Sequence, residues 1–224
     1  MTLGIQIPRV SLHDQIVEHL REAIISGDLA PGDKVNEREL CDRLGVSRTP
    51  LREAIKVLSN EGLIRLTPRY GATVAPLTLD DLDEVFPIMG ALEALAGELA
   101  CASIEDAEIA EVERLHHRMV EHYRKGEMKP YFECNQAIHE VILVAARNAT
   151  LSATMRGLAG RVRRARYLAN MSPERWAKAV AEHEEILAAL KARDAARLGA
   201  VLRGHLVNKL ETVRAALASA PDAG

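Results

Sequence analysis

Apolar residues recur every three to four positions in the first part of the chain, and turn-forming residues separate the runs. The first run predicts a helix that begins after Ser11 and ends at Gly27, because serine oxygens cap helix N-termini and glycine closes C-termini. A shorter second helix is predicted over 37–44, followed by a left-handed turn at Gly45. The inward positions of these two helices are Leu12, Ile16, Leu20, Ile24, Leu40 and Leu44.

A third helix is predicted to begin after a cap at Ser47, with Pro50 in its first turn, where proline is tolerated. Two short β-prone segments follow, over 63–66 and 72–75, joined by a Thr-Pro-Arg-Tyr-Gly turn. Three helices and a hairpin are typical of a winged helix-turn-helix, whose third helix enters the major groove of DNA. The apolar face of that helix consists of Leu51, Ala54, Ile55 and Leu58.

The remainder of the chain follows the helical period, so the predicted fold class is mainly α, with a C-terminal all-α antiparallel bundle. Thr78, Ser103 and Asp194 are the expected N-caps. The predicted helices cover 79–103, 105–125, 128–147, 148–169, 173–192 and 194–217. The predicted domains are a DNA-binding domain (1–76), a helical effector, metal-binding and dimerisation domain (77–217) and a tail (218–224).

Composition narrows the protein class. Hydrophobic residues make up 48% and charged residues 27% of the 224 residues, as in an ordinary globular protein. We find no signal peptide and expect no apolar run near the roughly 18 residues of a membrane span. The three cysteines are far apart and form no CxxC pair. These features predict a reduced, cytoplasmic protein.

Charge is balanced overall, with a formal net charge of -3, but residues 47–76 carry five basic side chains against two acidic ones. Arg48 and Arg52 are four residues apart, so they share one face of the third helix, opposite its apolar face. Arginine suits the O6 and N7 atoms of guanine, which favours contact with DNA bases. The alternative is a solvated helix face, since charged faces usually point to water. The complete order of three helices and a hairpin favours DNA binding, whereas the arginines by themselves do not.

Residues 27–76 closely resemble the DNA-binding domain of the GntR family of bacterial transcription regulators. In that family, DNA is contacted from the second helix, the recognition helix and the wing tip. The resemblance implies these DNA contacts here: Arg38, Ser47, Arg48, Thr49, Arg52, Tyr70 and Gly71. The position of Tyr70 varies within the family.

Three histidines of the C-terminal part lie on apolar helix faces. His183 lies between Val180 and Leu187 at helical spacing, and His205 follows leucine and valine in the same way. His139 lies one turn after Asn135. A single inward histidine is usually a hydrogen-bonded core residue, whereas three of them with an amide suit a site for Zn, Ni or Mn. A polar core remains the alternative. The other histidines, expected at the surface, are His13, His19, His116, His117 and His122.

The same region resembles the FCD ligand-sensing domain of the FadR branch of GntR regulators, and six helices suit its smaller, VanR-like group. In that family, metal-binding residues follow one another along the sequence in a characteristic order. The resemblance implies a divalent metal ion held by Asn135, His139, His183 and His205. Many members have aspartate where this chain has Asn135.

A second departure from the family concerns the effector. Many members carry an arginine, three residues before a glutamate, that receives a ligand carboxylate; Gly90 stands there, before Glu93. Arg161 and Arg164 are candidate effector contacts in its place, although solvation is their alternative interpretation.

The prediction is a homodimeric transcription regulator, a repressor, that reads a pseudo-palindromic operator and responds to a small carboxylate. The alternative is a metal-dependent enzyme that carries a DNA-binding module. His139 and His183 each precede glutamate, but neither begins an HExxH motif. We find no nucleophile elbow and no glycine-rich phosphate loop in the sequence.

Overall fold

The computed structural model describes residues 11–76, 78–158 and 173–219. Its backbone contacts divide the chain into two compact units, Met1–Leu77 and Thr78–Gly224. The two predicted candidate sites fall in different units. Each unit has a hydrophobic core of its own.

The N-terminal unit contains three helices and a hairpin, as the apolar pattern predicts. Ser11 and Asp14 form a reciprocal capping box at the first helix. Gly27 and Gly45 close the first two helices in the left-handed region, with φ of 89° and 64°. The elements are α1 (Leu12–Ser26), α2 (Glu37–Leu44), α3 (Arg48–Asn60), β1 (Ile64–Thr67) and β2 (Gly71–Val74).

The hairpin packs its inward residues on the helices. β1 and β2 are antiparallel, with Ile64 opposite Val74, and both of these side chains are buried. Both strands lie within one residue of their predicted limits. Leu12, which the pattern placed inward, is 55% exposed, because the first turn of α1 extends beyond the packed part of the unit.

The C-terminal unit is helical throughout the residues that the structure describes. Its elements are α4 (Leu79–Ser103), α5 (Asp106–Lys125), α6 (Met128–Ala145), α7 (described over 149–158), α8 (Pro173–Lys191) and α9 (Ala195–Ser219). Thr78 is the N-cap of α4, as predicted, and forms a capping box with Asp81. Helix α9 continues two residues beyond its predicted end.

The predicted cap at Ser103 is wrong. Ser103 is the last residue of α4, and its hydroxyl donates to the carbonyl of Ala145 at 2.6 Å. Helix α5 begins at Asp106 and is capped by Glu105, which forms a reciprocal box with Glu108. A glutamate cap is uncommon, so the preference for serine selected the wrong residue.

Helices α4 and α9 approach each other closely through glycines. A Cβ at Gly97 would lie 2.5 Å from Leu202 Cδ1, and one at Gly199 would lie 2.7 Å from Glu98 Oε1. A Cβ at Gly97 would displace Leu202 and Leu198, whereas the Glu98 side chain could move away from one at Gly199, so Gly97 is the residue that permits this close approach. The close packing brings Glu93 of α4 toward the histidines of the neighbouring helices.

By length and composition, α4 could cross a membrane, contrary to the expectation that no apolar run approaches that length. In its most apolar 18-residue stretch, 56% is buried inside the protein. Helix α4 packs on α9 and α6, so its apolar residues form part of the core of the C-terminal unit.

Candidate functional site

The residues expected to contact DNA lie at the surface of the N-terminal unit. Helix α3 buries Leu51, Ala54 and Ile55, so the residues between them project outward. All seven predicted contacts are exposed: Arg38, Ser47, Arg48, Thr49, Arg52, Tyr70 and Gly71. The arrangement leaves the beginning of α3 accessible to the major groove.

Helix α2 helps to orient one of the two arginines. Arg52 Nε donates to Glu37 Oε2 at 2.9 Å, across the turn that joins α2 and α3. The pair is partly exposed, so its contribution to stability is small. The contact holds the guanidinium group close to the exposed surface of α3.

The tip of the hairpin is a tight, exposed turn. Arg69 has a φ of 68° and Gly71 a φ of 92°, both in the left-handed region. Tyr70 N donates to Thr67 O at 3.1 Å and closes the turn. The Tyr70 ring between them is 78% exposed, which makes it the most prominent side chain of the wing.

Three buried imidazole rings meet inside the C-terminal unit, each from a different helix. His139 lies on α6, His183 on α8 and His205 on α9. Their ring centroids are 4.9–5.4 Å apart, and one potential ligand atom from each lies within 4.8 Å of the others. Three imidazole nitrogens at this separation could hold a metal ion.

Carboxylates lie behind two of the three rings. His139 Nδ1 is 3.3 Å from Glu93 Oε2, and His205 Nδ1 is 2.5 Å from Glu182 Oε2. The hydrogen bond to Glu182 places the proton of His205 on Nδ1 and leaves its Nε2 with a lone pair, and the nearby Glu93 carboxylate favours the same arrangement in His139. Neither His139 Nε2 nor His205 Nε2 has a hydrogen-bond partner among the described residues. Buried nitrogens without a partner are costly, and a metal ion would satisfy both.

Glu182 is itself held by several donors. Arg175 makes a bidentate pair with it, at 2.7 and 2.5 Å, and Asn208 Nδ2 donates to its Oε1 at 2.8 Å. This bidentate geometry stabilises the ionised carboxylate. Glu182 therefore keeps the His205 ring in one orientation.

Asn135 connects the rings to a buried lysine. Its Nδ2 lies 2.8 Å from His183 Nε2, and its Oδ1 accepts from Lys209 Nζ at 3.4 Å. Both Asn135 and Lys209 are completely buried. An ammonium group has only donors, so it determines which end of the amide faces it. Asn135 consequently presents its NH2 group, rather than its oxygen, to His183.

His139 and His205 are held in the neutral form. Burial lowers the pKa of His139 to about 3, and the Lys209 charge contributes. Burial lowers the pKa of His205 well below its usual value, again with a contribution from Lys209. Neutral imidazole is the form that binds metal.

Sequence reasoning missed Lys209, Glu182 and Arg175. Lys209 follows His205 by four residues, so the helical period placed it on the same inward face. Glu182 offered no such signal, because its neighbour His183 takes the inward position. The predicted effector contacts, Arg161 and Arg164, lie outside the described residues.

Two further expectations concern single positions. His116 was expected at the surface, but it is 2% exposed, with Nε2 3.3 Å from Glu184 Oε1. That prediction was wrong because the apolar residues around His116 place it on the core face of α5. Gly90 is buried on α4, where an added Cβ would lie 3.8 Å from Arg203 Cγ.

Family models match both units. The model described as FCD domain matches residues 84–208, and that described as bacterial regulatory proteins, gntR family, matches residues 12–74. The HTH-type transcriptional repressor RspR of Escherichia coli (strain K12) is 28% identical over 218 residues, which cover 96% of this chain and 94% of RspR.

A second relative and a solved structure agree with these matches. An uncharacterized HTH-type transcriptional regulator from an unstable DNA locus of Streptomyces ambofaciens is 31% identical, over 88% of this chain and 84% of that protein. The structure of E. coli McbR/YncC superposes with a TM-score of 0.84 and 25% identity, over 93% of this chain and 100% of the other. The agreement extends over both units.

Proposed function

Because this chain belongs to the GntR family of bacterial transcription regulators, with a C-terminal FCD domain, we propose that it is a metabolite-controlled repressor. A small carboxylate is the proposed effector, and a divalent metal ion in the histidine cluster is its proposed partner. The family assignment covers DNA binding and a ligand-binding domain. RspR, a relative over nearly the full length, is named as a repressor.

The exposed start of α3 supports the DNA contacts. Arg48 and Arg52 would read base edges, while Arg38 and the wing tip would contact phosphates. A homodimer in the cytoplasm would place two α3 helices about 34 Å apart, one turn of DNA, so its operator would be a pseudo-palindrome.

The metal is supported by one observation above all, the two buried Nε2 atoms of His139 and His205 that have no partner among the described residues. Tyr131 Oη and Trp176 Nε1 also lack a partner among the described residues, but the two histidine nitrogens belong to a cluster whose ligand atoms lie within 4.8 Å of one another. His139, His183 and His205 would hold Zn, Ni or Mn, and Asn135 would be the fourth ligand. The bound ion would supply positive charge in a buried site.

The charges near the site favour an anionic effector. Two ionic groups near it are acidic, the buried Glu93 and the half-buried Glu182, and two are basic, the buried Arg175 and Lys209. These groups cancel formally, and the neutral imidazoles add nothing. A divalent ion would therefore keep about two positive charges, which a carboxylate can neutralise without an arginine at position 90.

The experiment begins with chelator-treated full-length protein. Selection from random duplex DNA should yield a pseudo-palindromic sequence. The unfolding temperature should rise when Zn, Ni or Mn is added. At a metal concentration 100 times the Kd, the free energy of unfolding should increase by about 2.7 kcal/mol. A panel of small carboxylates should then contain one that releases the selected DNA only from metal-loaded protein.

Each result has a counterpart that would contradict the proposal. If the selection enriches no DNA sequence, the proposal of sequence-specific DNA binding is wrong. Unchanged unfolding with all three metals would make the cluster a polar core. Turnover of a compound in the panel would favour the metal-dependent enzyme.

A further inference from the structure

Lys209 and a bound metal ion need the same atom. The ammonium group of Lys209 takes the Asn135 Oδ1 at 3.4 Å, and it can only donate. An amide binds a metal ion through its oxygen, since its nitrogen has no available lone pair. Metal binding by Asn135 therefore requires the amide to turn over and lose its contact with Lys209.

The same rotation affects His183. Asn135 Nδ2 lies 2.8 Å from His183 Nε2, so the amide donates to the lone pair of that ring. His183 Nε2 cannot accept this hydrogen bond and bind a metal ion at once. The orientation that Lys209 imposes on Asn135 thus withholds the amide oxygen and occupies a histidine nitrogen.

On the basis of the proposed metal site, we propose that Lys209 competes with the metal ion for Asn135 and thereby weakens metal binding.

The competition depends on the amide having a single oxygen. An aspartate at position 135 would offer two equivalent oxygens, one for Lys209 and one for the metal. Asn135→Asp should therefore strengthen metal binding, while Lys209→Met should strengthen it only when residue 135 is asparagine.

The test measures Zn²⁺ affinity on chelator-treated full-length protein, by competition with a chromophoric chelator. Lys209→Met should tighten binding about tenfold, the size of one charge-assisted hydrogen bond. The same substitution in an Asn135→Ala background should produce no gain, because the contested oxygen is gone. Lys209→Arg should match the wild type, since it retains the charge and the donors.

Lys178→Met is the matched control, because Lys178 is exposed on α8 and should leave Zn²⁺ affinity unchanged. If Lys209→Met does not fold, Lys209→Leu takes its place, because it also removes the ammonium group. Asn135→Asp alone is not decisive, since a carboxylate binds a divalent ion more tightly than an amide in any case. Unchanged or weaker binding in the lysine variant that folds would overturn the inference while leaving the metal site intact. A gain that persists with alanine at 135 would mean simple charge repulsion, which also overturns it. Absence of binding in every variant would remove the metal site itself.

Discussion

The two units of this protein differ in the solvent exposure of their candidate functional side chains. In the N-terminal unit the proposed DNA contacts are all exposed and lie within residues 38–71. In the C-terminal unit the histidine cluster is buried and draws on α6, α8 and α9, with Glu93 of α4 behind it. One surface is continuous in sequence, whereas the other site exists only after the helices have packed.

This contrast predicts how the two sites respond to change. An exposed arginine can be removed with little effect on the free energy of unfolding, because it loses no packing. A buried histidine participates in the core, so its replacement affects ligand binding and stability together. Substitutions in the two units should therefore separate affinity for DNA from metal-dependent stability.

The largest effect is expected at the centre of the cluster. His183→Ala should weaken metal affinity by more than about 100-fold, since changes at residues behind a metal ligand already cost 10–100-fold. The added stability from metal, measured by thermal unfolding, should disappear with it. His117→Ala is the control, because His117 is exposed on the neighbouring α5. Equal metal affinity in both variants would exclude His183 as a ligand.

The next effect is expected at the recognition helix. Arg48→Ala and Arg52→Ala should each cost about 1–3 kcal/mol of affinity for the selected operator, with relaxed preference at one base pair. The free energy of unfolding should change by less than about 0.5 kcal/mol. Lys56→Ala, also exposed on α3 but further from its start, is the control. Unaltered footprints for both arginine variants would contradict the assignment of α3.

The same contrast explains how much the sequence could predict. The N-terminal unit was predicted almost completely because its signals are local: Ser11 caps α1, Gly45 forms the turn, and apolar spacing defines the faces of α3. The limits of its strands differ by only one residue. Local signals of this kind depend on a few neighbouring side chains.

The C-terminal unit was predicted less completely because its site depends on packing. Helical spacing indicated that His183 and His205 face inward, but it could not bring three helices to one point. Lys209 was overlooked although it follows the period, because a lysine is almost never fully buried. The prediction of a surface position for His116 was wrong for a related reason. Charged residues flank it in the sequence, and such residues are usually exposed.

Lowering the pH should reduce the stability of the C-terminal unit more than that of the N-terminal unit. The unfolded chain protonates histidine near pH 6.5, whereas the folded pKa is about 3 for His139 and is strongly lowered for His205. The unfolded state therefore binds more protons below pH 6.5, and metal-free protein loses stability as pH falls from there toward 3. Each of these histidines should steepen the loss of stability, by roughly 1 kcal/mol per pH unit while the unfolded chain binds the proton and the folded chain does not.

Hydrogen exchange at pH 7.5, 6 and 5 would check this expectation. Protection of α9 amides should decrease faster than that of α3, because His13 and His19, the histidines of the N-terminal unit, are at least partly exposed. His205→Gln should reduce the slope for α9. Equal loss of protection in both helices would contradict the difference between the units.

The smallest effect is expected at the wing. Tyr70 is 78% exposed and stands between two left-handed residues, so its removal should leave the hairpin intact. If its hydroxyl donates to a phosphate, Tyr70→Ala should cost about 1 kcal/mol, the value of a typical hydrogen bond. The loss should be equal for the selected operator and for unrelated DNA, because phosphate contacts carry no sequence information. Tyr70→Phe should lose the same amount, since it removes only the hydroxyl. A loss confined to the operator would instead place Tyr70 on a base edge, and the wing would then share sequence recognition with α3.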